Sequence, residues 1–251
     1  MDTKNYLNFS ESDLNRRVYR YIELKTLYAM LKSRHNQLSR PSLWDDPFEN
    51  LTLNGSGRYP DGSIRPFGLR DHVYGQCWTQ ERRSDAMWRI YCPADKNGNY
   101  CGVRIRTTLR RLANSLSRAV GEDANECVFI GKVRYLSDYQ LDRIARSLFA
   151  KGVTPVSVAK SLLIKRTAFQ HEREVRLIYR NLSEETFEGG RFRYPIDPEE
   201  LITQIMVAPS RSVAEAKKIK AEIEKQTAGM IQIKRSLLYK EPQGLLFSVR
   251  E

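Results

Sequence analysis

The chain is poor in the residues that build metal sites. Its cysteines, Cys77, Cys92, Cys101 and Cys127, form no Cys-x-x-Cys pair, and three histidines are too few to complete the set. Structural zinc is therefore not expected, and free core thiols in a reducing compartment are. There is no Gly-x-Gly-x-x-Gly and no Walker-type phosphate loop, which disfavours a Rossmann dehydrogenase and a P-loop NTPase. No apolar run reaches the length of a membrane span, and the N-terminus lacks a basic stretch followed by an apolar signal segment. The expectation is a cytoplasmic protein with no membrane partner. Internal repeats and long linkers are also missing.

What is present is a core and a strong charge. Hydrophobic residues make up 41% of the 251 positions, enough to fill the interior of one large domain or two small ones. The formal net charge is +12, with Lys and Arg dispersed along the chain rather than gathered in one arm. Such an excess attracts phosphate backbones, acidic proteins and dinucleotide cofactors alike, so a polyanionic partner such as RNA or DNA is expected.

Periodicity predicts a mixed α+β fold in a single domain, residues 1–251. Residues 1–15 read as a polar lead-in, 16–210 as the main body, and 211–251 as a C-terminal helix with late strands. Strands are expected at 17–21, 73–79, 101–106, 127–135, 192–195, 202–207, 231–233 and 245–249. Helices are expected after Leu24, from Ser84 or Asp85 to Tyr91, from Thr107 or Thr108 to Val120, and at 138–150, 156–165 and 213–226. Residues 50–70 read as a loop of turns. Arg110, Arg111 and Arg118 are placed on the polar side of their helix, and Lys217, Lys218, Lys220 and Lys225 on theirs. Both sides are ordinary solvated faces that also suit a nucleic-acid backbone, and Arg110, Arg111 and Arg118 are taken as the candidate nucleic-acid contacts.

Residues 169–180 carry the densest chemistry. Read as a strand, they put Glu172, Glu174 and Arg176 on one face and Val175, Leu177 and Tyr179 on the other. Paired carboxylates beside a guanidinium position a sugar hydroxyl, stabilise a developing cation and accept a proton, which is what glycosyl-bond chemistry requires. The same pattern also describes a solvated strand of alternating charge, and residues 169–180 alone leave both open. Arg176 is expected to pair with a neighbouring glutamate, with contact to cofactor phosphate as the alternative. His171 falls on the opposite strand face, and His35 and His72 lie in turn-like contexts. Asp45 and Asp46 precede a proline, a common turn device, and Asp46 is kept as a site-rim residue. Trp44 and Phe48 are expected to anchor this loop.

Five segments in order resemble a widespread bacterial family described as a domain of unknown function: Val18-Tyr19-Arg20-Tyr21, residues 38–48 ending Asp45-Asp46-Pro47-Phe48, Cys77-Trp78-Thr79-Gln80, Met87-Trp88-Arg89-Ile90-Tyr91, and Glu172-x-Glu174-x-Arg176-Leu177-Ile178. They cover roughly residues 17–210. The layout is similar to divergent ADP-ribosyltransferases built from an Arg, a Ser-Thr-Ser-like strand and a Glu-x-Glu strand. That resemblance implies a split β-sheet core with flanking helices and NAD as substrate. By position it gives Arg20 the NAD diphosphate or nicotinamide ribose, Cys77-Trp78-Thr79 the Ser-Thr-Ser strand, and Glu172 and Glu174 the catalytic pair. Glu174 would stabilise the oxocarbenium-like ribose, and Glu172 would orient or deprotonate the acceptor. Tyr21 or Trp88 would stack the nicotinamide, with Thr79 and Arg176 completing the cofactor set. Within Cys77-Trp78-Thr79 only Thr79 supplies a hydroxyl, and Trp78 is bulkier than the residue it replaces. The implied activity is ADP-ribose transfer to a macromolecule by a toxin or phage-defence effector with a neutralising antitoxin protein. The alternatives are an inactive nucleic-acid-binding or regulatory module, and a metal-dependent nuclease using Asp46, Glu172 and Glu174.

Overall fold

Alternating β-branched, aromatic and polar residues produce long strands where both faces have something to pack against, and short ones elsewhere. The computed structural model describes residues 1–50, 52–150, 152–244 and 246–248. In chain order its strands begin with β1 (Tyr6–Leu7), β2 (Arg17–Glu23) and β3 (His35–Ser39), followed by β4 (Ser56–Arg58), β5 (Ile64–Pro66), β6 (Val73–Thr79) and β7 (Gly102–Thr108). They continue with β8 (Val128–Lys132), β9 (Arg134–Leu136), β10 (Ile164–Arg166), β11 (Glu174–Arg180), β12 (Arg191–Pro195), β13 (Gln204–Val207) and β14 (Gln232–Arg235). The helices are α1 (Leu24–Ser33), α2 (Asp85–Tyr91), α3 (Leu109–Val120), α4 (Ala124–Cys127), α5 (Asp138–Ser147), α6 (Pro155–Ser161), α7 (Pro198–Leu201) and α8 (Val213–Gln226).

Ten strands form one mixed sheet in the order β1-β8-β11-β6-β2-β7-β13-β14, with β3 pairing β6 and β12 pairing β3. One face is covered by α1, α3 and α8. Leu27, Leu109, Leu112, Leu116 and Ile223 meet Val18, Val103, Ile105, Leu177 and Ile205 there in one buried cluster. The second face carries α6, with Val158, Leu162 and Leu163 packed on Val73, Phe129 and Ile178. Caps fix the helix starts. Ser84 accepts from the Met87 amide, Thr108 from Arg111, and Ser212 and Glu215 form a capping box on α8.

Several expected elements differ. The lead-in is not merely polar: Tyr6 and Leu7 are buried and pair in parallel with β8. The expected strand at 127–135 breaks at Val133, because its second half leaves the large sheet to pair with β10. The expected helix at 156–165 stops at Ser161, and Ile164–Arg166 turns into that small parallel ladder. Residues 246–248 are not a strand, while Leu245 and Val249 lie outside the described residues. Residues 50–70 contain a hairpin, β4 against β5.

The largest difference concerns the acidic segment. Thr167–Glu172 is a 3₁₀ helix, Arg173 sits in the left-handed region at φ 43°, and the strand starts only at Glu174. Glu172 is thus not two strand positions before Glu174. A non-glycine residue in that region is strained, and here it turns the chain sharply between the two glutamates.

Among the described residues no helix is long and apolar enough to cross a membrane. All four cysteines are free thiols, with Cys92 and Cys127 buried and Cys77 and Cys101 partly so.

Candidate active site

The sheet is least continuous at its centre. β6 and β11 are paired in register from Thr79–Glu174 to Val73–Arg180, whereas β6 and β2 share only the Thr79–Tyr19 pair. The opening is a cleft of about 120 Å³ lined by Tyr19, Arg20, Tyr21, Cys77, Trp78, Thr79, Met87, Tyr91, Glu172 and Glu174. Arg20, Thr79 and Glu174 come from three different strands and border the same space. Arg20 alternates with Tyr19 and Tyr21 along β2, so the splay of β2 from β6 is what lets all three reach it.

One wall is acidic and tightly bonded. Arg176 is fully buried, and its Nε and Nη2 donate to the two oxygens of Glu174 at 3.1 and 2.7 Å. Its Nη2 also lies 3.0 Å from Glu49 Oε1, its Nη1 donates to the Leu162 carbonyl at 2.8 Å, and its guanidinium covers the Trp44 ring at 4.6 Å. Trp44 sits there because residue 75 is glycine: a Cβ at Gly75 would fall 2.7 Å from the indole. Lys165 Nζ is held by Glu49 at 2.8 Å, Glu172 at 2.7 Å and Glu174 at 3.5 Å. Glu172 Oε1 accepts from the Tyr91 hydroxyl at 3.0 Å, and the Glu172 carbonyl accepts from Thr79 Oγ1. The Glu174 amide donates to the Tyr135 hydroxyl at 2.8 Å.

Three carboxylates thus face two cations, leaving one formal negative charge in a nearly dry environment. Burial works to raise the Glu174 pKa, but the Arg176 guanidinium, the Lys165 ammonium and the Cys77 thiol outweigh it and hold the carboxyl below its ordinary value. Burial likewise opposes the charges on Lys165 and Arg176, yet the glutamates keep both cations above their ordinary values. Burial, then the neighbouring Glu172 carboxylate, pushes the Tyr91 phenol up, so it remains a neutral donor.

The opposite wall is Arg20. No hydrogen-bond acceptor or carboxylate among the described residues engages its half-buried guanidinium, and burial pulls its pKa below the ordinary value, with Cys77 and Tyr194 acting the other way. The scaffold beneath is rigid. Asn36 donates to Gln76 and to the Tyr194 hydroxyl, Gln76 donates back to Asn36, and the Trp78 indole donates to Gln76 at 2.8 Å. Trp78 is 3% exposed, with its bulk absorbed by this network and the core.

The remaining candidates separate. Tyr21 borders the cleft, but its ring packs edge-on against Trp88 at 4.8 Å. Trp88 is buried with Met87, Cys92 and Tyr100 and does not line the cleft, which the apolar neighbours of its helix face explain. Arg176 lies beneath Glu174 as a structural pair. Asp46 accepts from the Phe48 amide and pairs with Arg166 at 3.0 Å, and it does not line the cleft. Arg111 and Arg118 border a separate cleft of about 490 Å³, where both bond Glu200. Arg110 is not on that cleft and lies towards Tyr6, because one helical step turns it about 100° from Arg111. Among the described residues no group of three or more His, Cys, Asp or Glu side chains is arranged to hold a metal ion. Lys165 occupies the point on which Glu49, Glu172 and Glu174 converge. Sequence reasoning missed Glu49, Lys165 and Tyr91. Glu49 follows directly on the Asp45-Asp46-Pro47-Phe48 segment, the one signal that pointed to it.

No family model and no curated protein matches the chain. Among solved structures it is similar to DarT of Thermus sp. 2.9. In complex with ADP-ribosylated ssDNA that protein shares 11% identity at a TM-score of 0.40, over 88% of this chain and 94% of the other. Its complex with carba-NAD+ shares 12% identity at a TM-score of 0.38, over 90% and 96% of the two chains. Its complex with NAD+ shares 12% at 0.38, over 91% and 98%.

Proposed function

We propose that the chain is an ADP-ribosyltransferase-like enzyme that takes ADP-ribose from NAD and transfers it to a macromolecular acceptor, with nucleic acid preferred over protein. The observation that carries this reading is the two-signed cleft: an unpaired Arg20 faces a carboxylate group with one uncompensated negative charge. A dinucleotide with an anionic diphosphate next to a ribose that becomes cationic needs both signs at short range. Arg20 is the phosphate ligand, and Tyr19, Tyr21 and Met87 offer apolar surface to a ring. The cleft takes one end of a dinucleotide, and the remainder lies along its open side.

NAD supplies a ribose C1′ bonded to a good leaving group. As the C1′–N bond breaks, its electron pair leaves with nicotinamide, and Glu174 and Glu172 face the positive charge that develops on the ribose. The acceptor atom then bonds to C1′ and gives up its proton, for which Glu172, hydrogen-bonded by the Tyr91 phenol, is the base. The buried Glu49, Lys165 and Arg176 hold these carboxylates in place, so little reorganisation accompanies the step. The setting we propose is a cytoplasmic toxin or phage-defence effector restrained by an antitoxin protein.

A second reading, an inactive nucleic-acid-binding module, is favoured by one observation: Arg176 takes both Glu174 oxygens, and Thr79 spends its hydroxyl on a backbone carbonyl. Incubation with labelled NAD and total RNA, DNA or lysate separates the two. EDTA-insensitive label transfer that is lost in Glu174→Gln supports the transferase. Nucleic-acid retention unaffected by Glu174→Gln, without NAD consumption, supports the module.

A further inference from the structure

A second cationic region adjoins the cleft and is used by nothing described above. Tyr19 pairs with Arg106 and Tyr21 with Arg104 across β2 and β7, and Arg17 pairs with Thr108, so Arg17, Arg104 and Arg106 share a face with the cleft's two tyrosines. Arg104 lies over the Tyr19 ring at 4.7 Å and donates to the Arg82 carbonyl, which brings Arg82 to the same place. Four arginines thus gather on one side of the cleft.

Their charges are not neutralised by the fold. Among the described residues none of the four forms a salt bridge, and Arg106 bonds only the Thr203 hydroxyl, at 2.9 Å. Asp13 and Glu81, on neighbouring segments, are already engaged by Arg16 and Arg173. Arg104 is 3% exposed and its buried Nε has no acceptor. Burial first, then the proximity of Arg17, Arg104 and Arg82, lowers the pKa of Arg106, the signature of cations crowded without a counter-charge. By contrast, Arg118 near α7 pairs with the Glu200 carboxylate, beside Arg111 on the Glu200 carbonyl. A like-charge cluster next to a reaction cleft is stabilised by a ligand that brings several negative charges at once.

We propose that Arg17, Arg82 and Arg106, backed by the buried Arg104, bind successive phosphates of a single-stranded nucleic-acid acceptor and lead it past Tyr19 into the cleft. The inference rests on the transferase reading and names its acceptor track. Single strands fit because a nucleotide must leave its stack to enter a cleft of about 120 Å³. An NAD diphosphate is the other source of phosphate, but Arg20 already faces the cleft for it, and the spread of cations over β2, β7 and the segment after β6 suits a run of charges.

The test is binding of a fluorescent mixed-sequence single-stranded DNA oligonucleotide across a salt series, without NAD, to the wild type, Arg17→Gln/Arg106→Gln, and Arg17→Lys/Arg106→Lys. Arg17 is exposed and Arg106 half-buried, so the fold is expected to tolerate both changes, and the Lys variant guards against a fold effect. Two lost phosphate contacts reduce the slope of log K against log salt by roughly 1.4 and the low-salt affinity by about tenfold, whereas the Lys variant keeps the slope. Unchanged slope and affinity in the Gln variant overturn the proposal. So does the same loss appearing in Arg111→Gln/Arg118→Gln instead, or a loss of NAD binding with oligonucleotide binding kept. Because NAD is absent from the main assay, a protein that cleaves no NAD still passes or fails this test independently.

Discussion

The two walls of the cleft satisfy their charges in opposite ways. On the β11 side every carboxylate has a cation within 3.5 Å, and the cations have further partners. On the β2 side Arg20 has none among the described residues, and the arginines beyond it share only neutral acceptors. A network closed on itself is a device for holding shape, because removing one partner leaves a buried charge exposed to low dielectric. A wall of unpaired cations contributes little to folding and keeps its hydrogen-bonding capacity for something that arrives later. On the proposed reading the carboxylates are pre-positioned, and the arginines are the part that takes up an anion.

The sharpest way to break this contrast is to remove a charge from each wall. Arg176→Met strands Glu174 and Glu49, and should cost about 3–5 kcal/mol in urea denaturation, the range for a broken buried pair. A loss below 1 kcal/mol would mean that the network is not structural. Arg20→Gln should leave folding within about 0.5 kcal/mol. It should weaken NAD binding roughly 10- to 100-fold, the value of one charge-assisted contact, as titration calorimetry would show.

Acid sharpens the same comparison. Glu174 has a folded-state pKa below its ordinary 4.5, so its ionised form stabilises the fold at neutral pH. That stability is lost as the pH falls through the lowered value. The difference in melting temperature between wild type and Glu174→Gln should be widest near pH 7 and close under strongly acidic conditions. A gap independent of pH would show that shape, rather than charge, is what the glutamine disturbs.

The smallest expected effect concerns the turn between the glutamates. Arg173→Gly removes a left-handed non-glycine residue at φ 43° and also its exposed pairing with Glu81 at 3.7 Å. The melting temperature should stay level or rise, by up to about 1 kcal/mol in stability, since strain relief slightly exceeds the entropy cost of glycine. A drop beyond that would assign the Arg173 side chain a larger role than the turn.

Much of the fold was legible because long amphipathic segments announce themselves. Leu24–Ser33, Leu109–Val120 and Val213–Gln226 carry apolar residues at helical spacing, the last two after Thr108 and Ser212 caps, and Val73–Thr79 is bounded by turns. The site was legible only in part. Glu172, Glu174 and Arg20 stood out as charges in apolar company, but their relative placement was misread at Arg173, where neither Gly nor Asn marks the left-handed turn. Lys165 rides on a three-residue strand too short for a periodic signal, and Glu49 arrives on the 3₁₀ turn Pro47–Asn50. What brings them together is tertiary pairing around Arg176, which local sequence does not encode.

The most direct test of a two-signed cleft built for NAD is nicotinamide release, measured for wild type, Arg20→Gln and Glu172→Gln alongside their melting curves. EDTA-insensitive release by the wild type is expected, reduced at least about tenfold in Arg20→Gln while its melting temperature stays put, and abolished in Glu172→Gln. No release by a folded wild-type protein given nucleic acid, or release by Arg20→Gln at the wild-type rate, would contradict it.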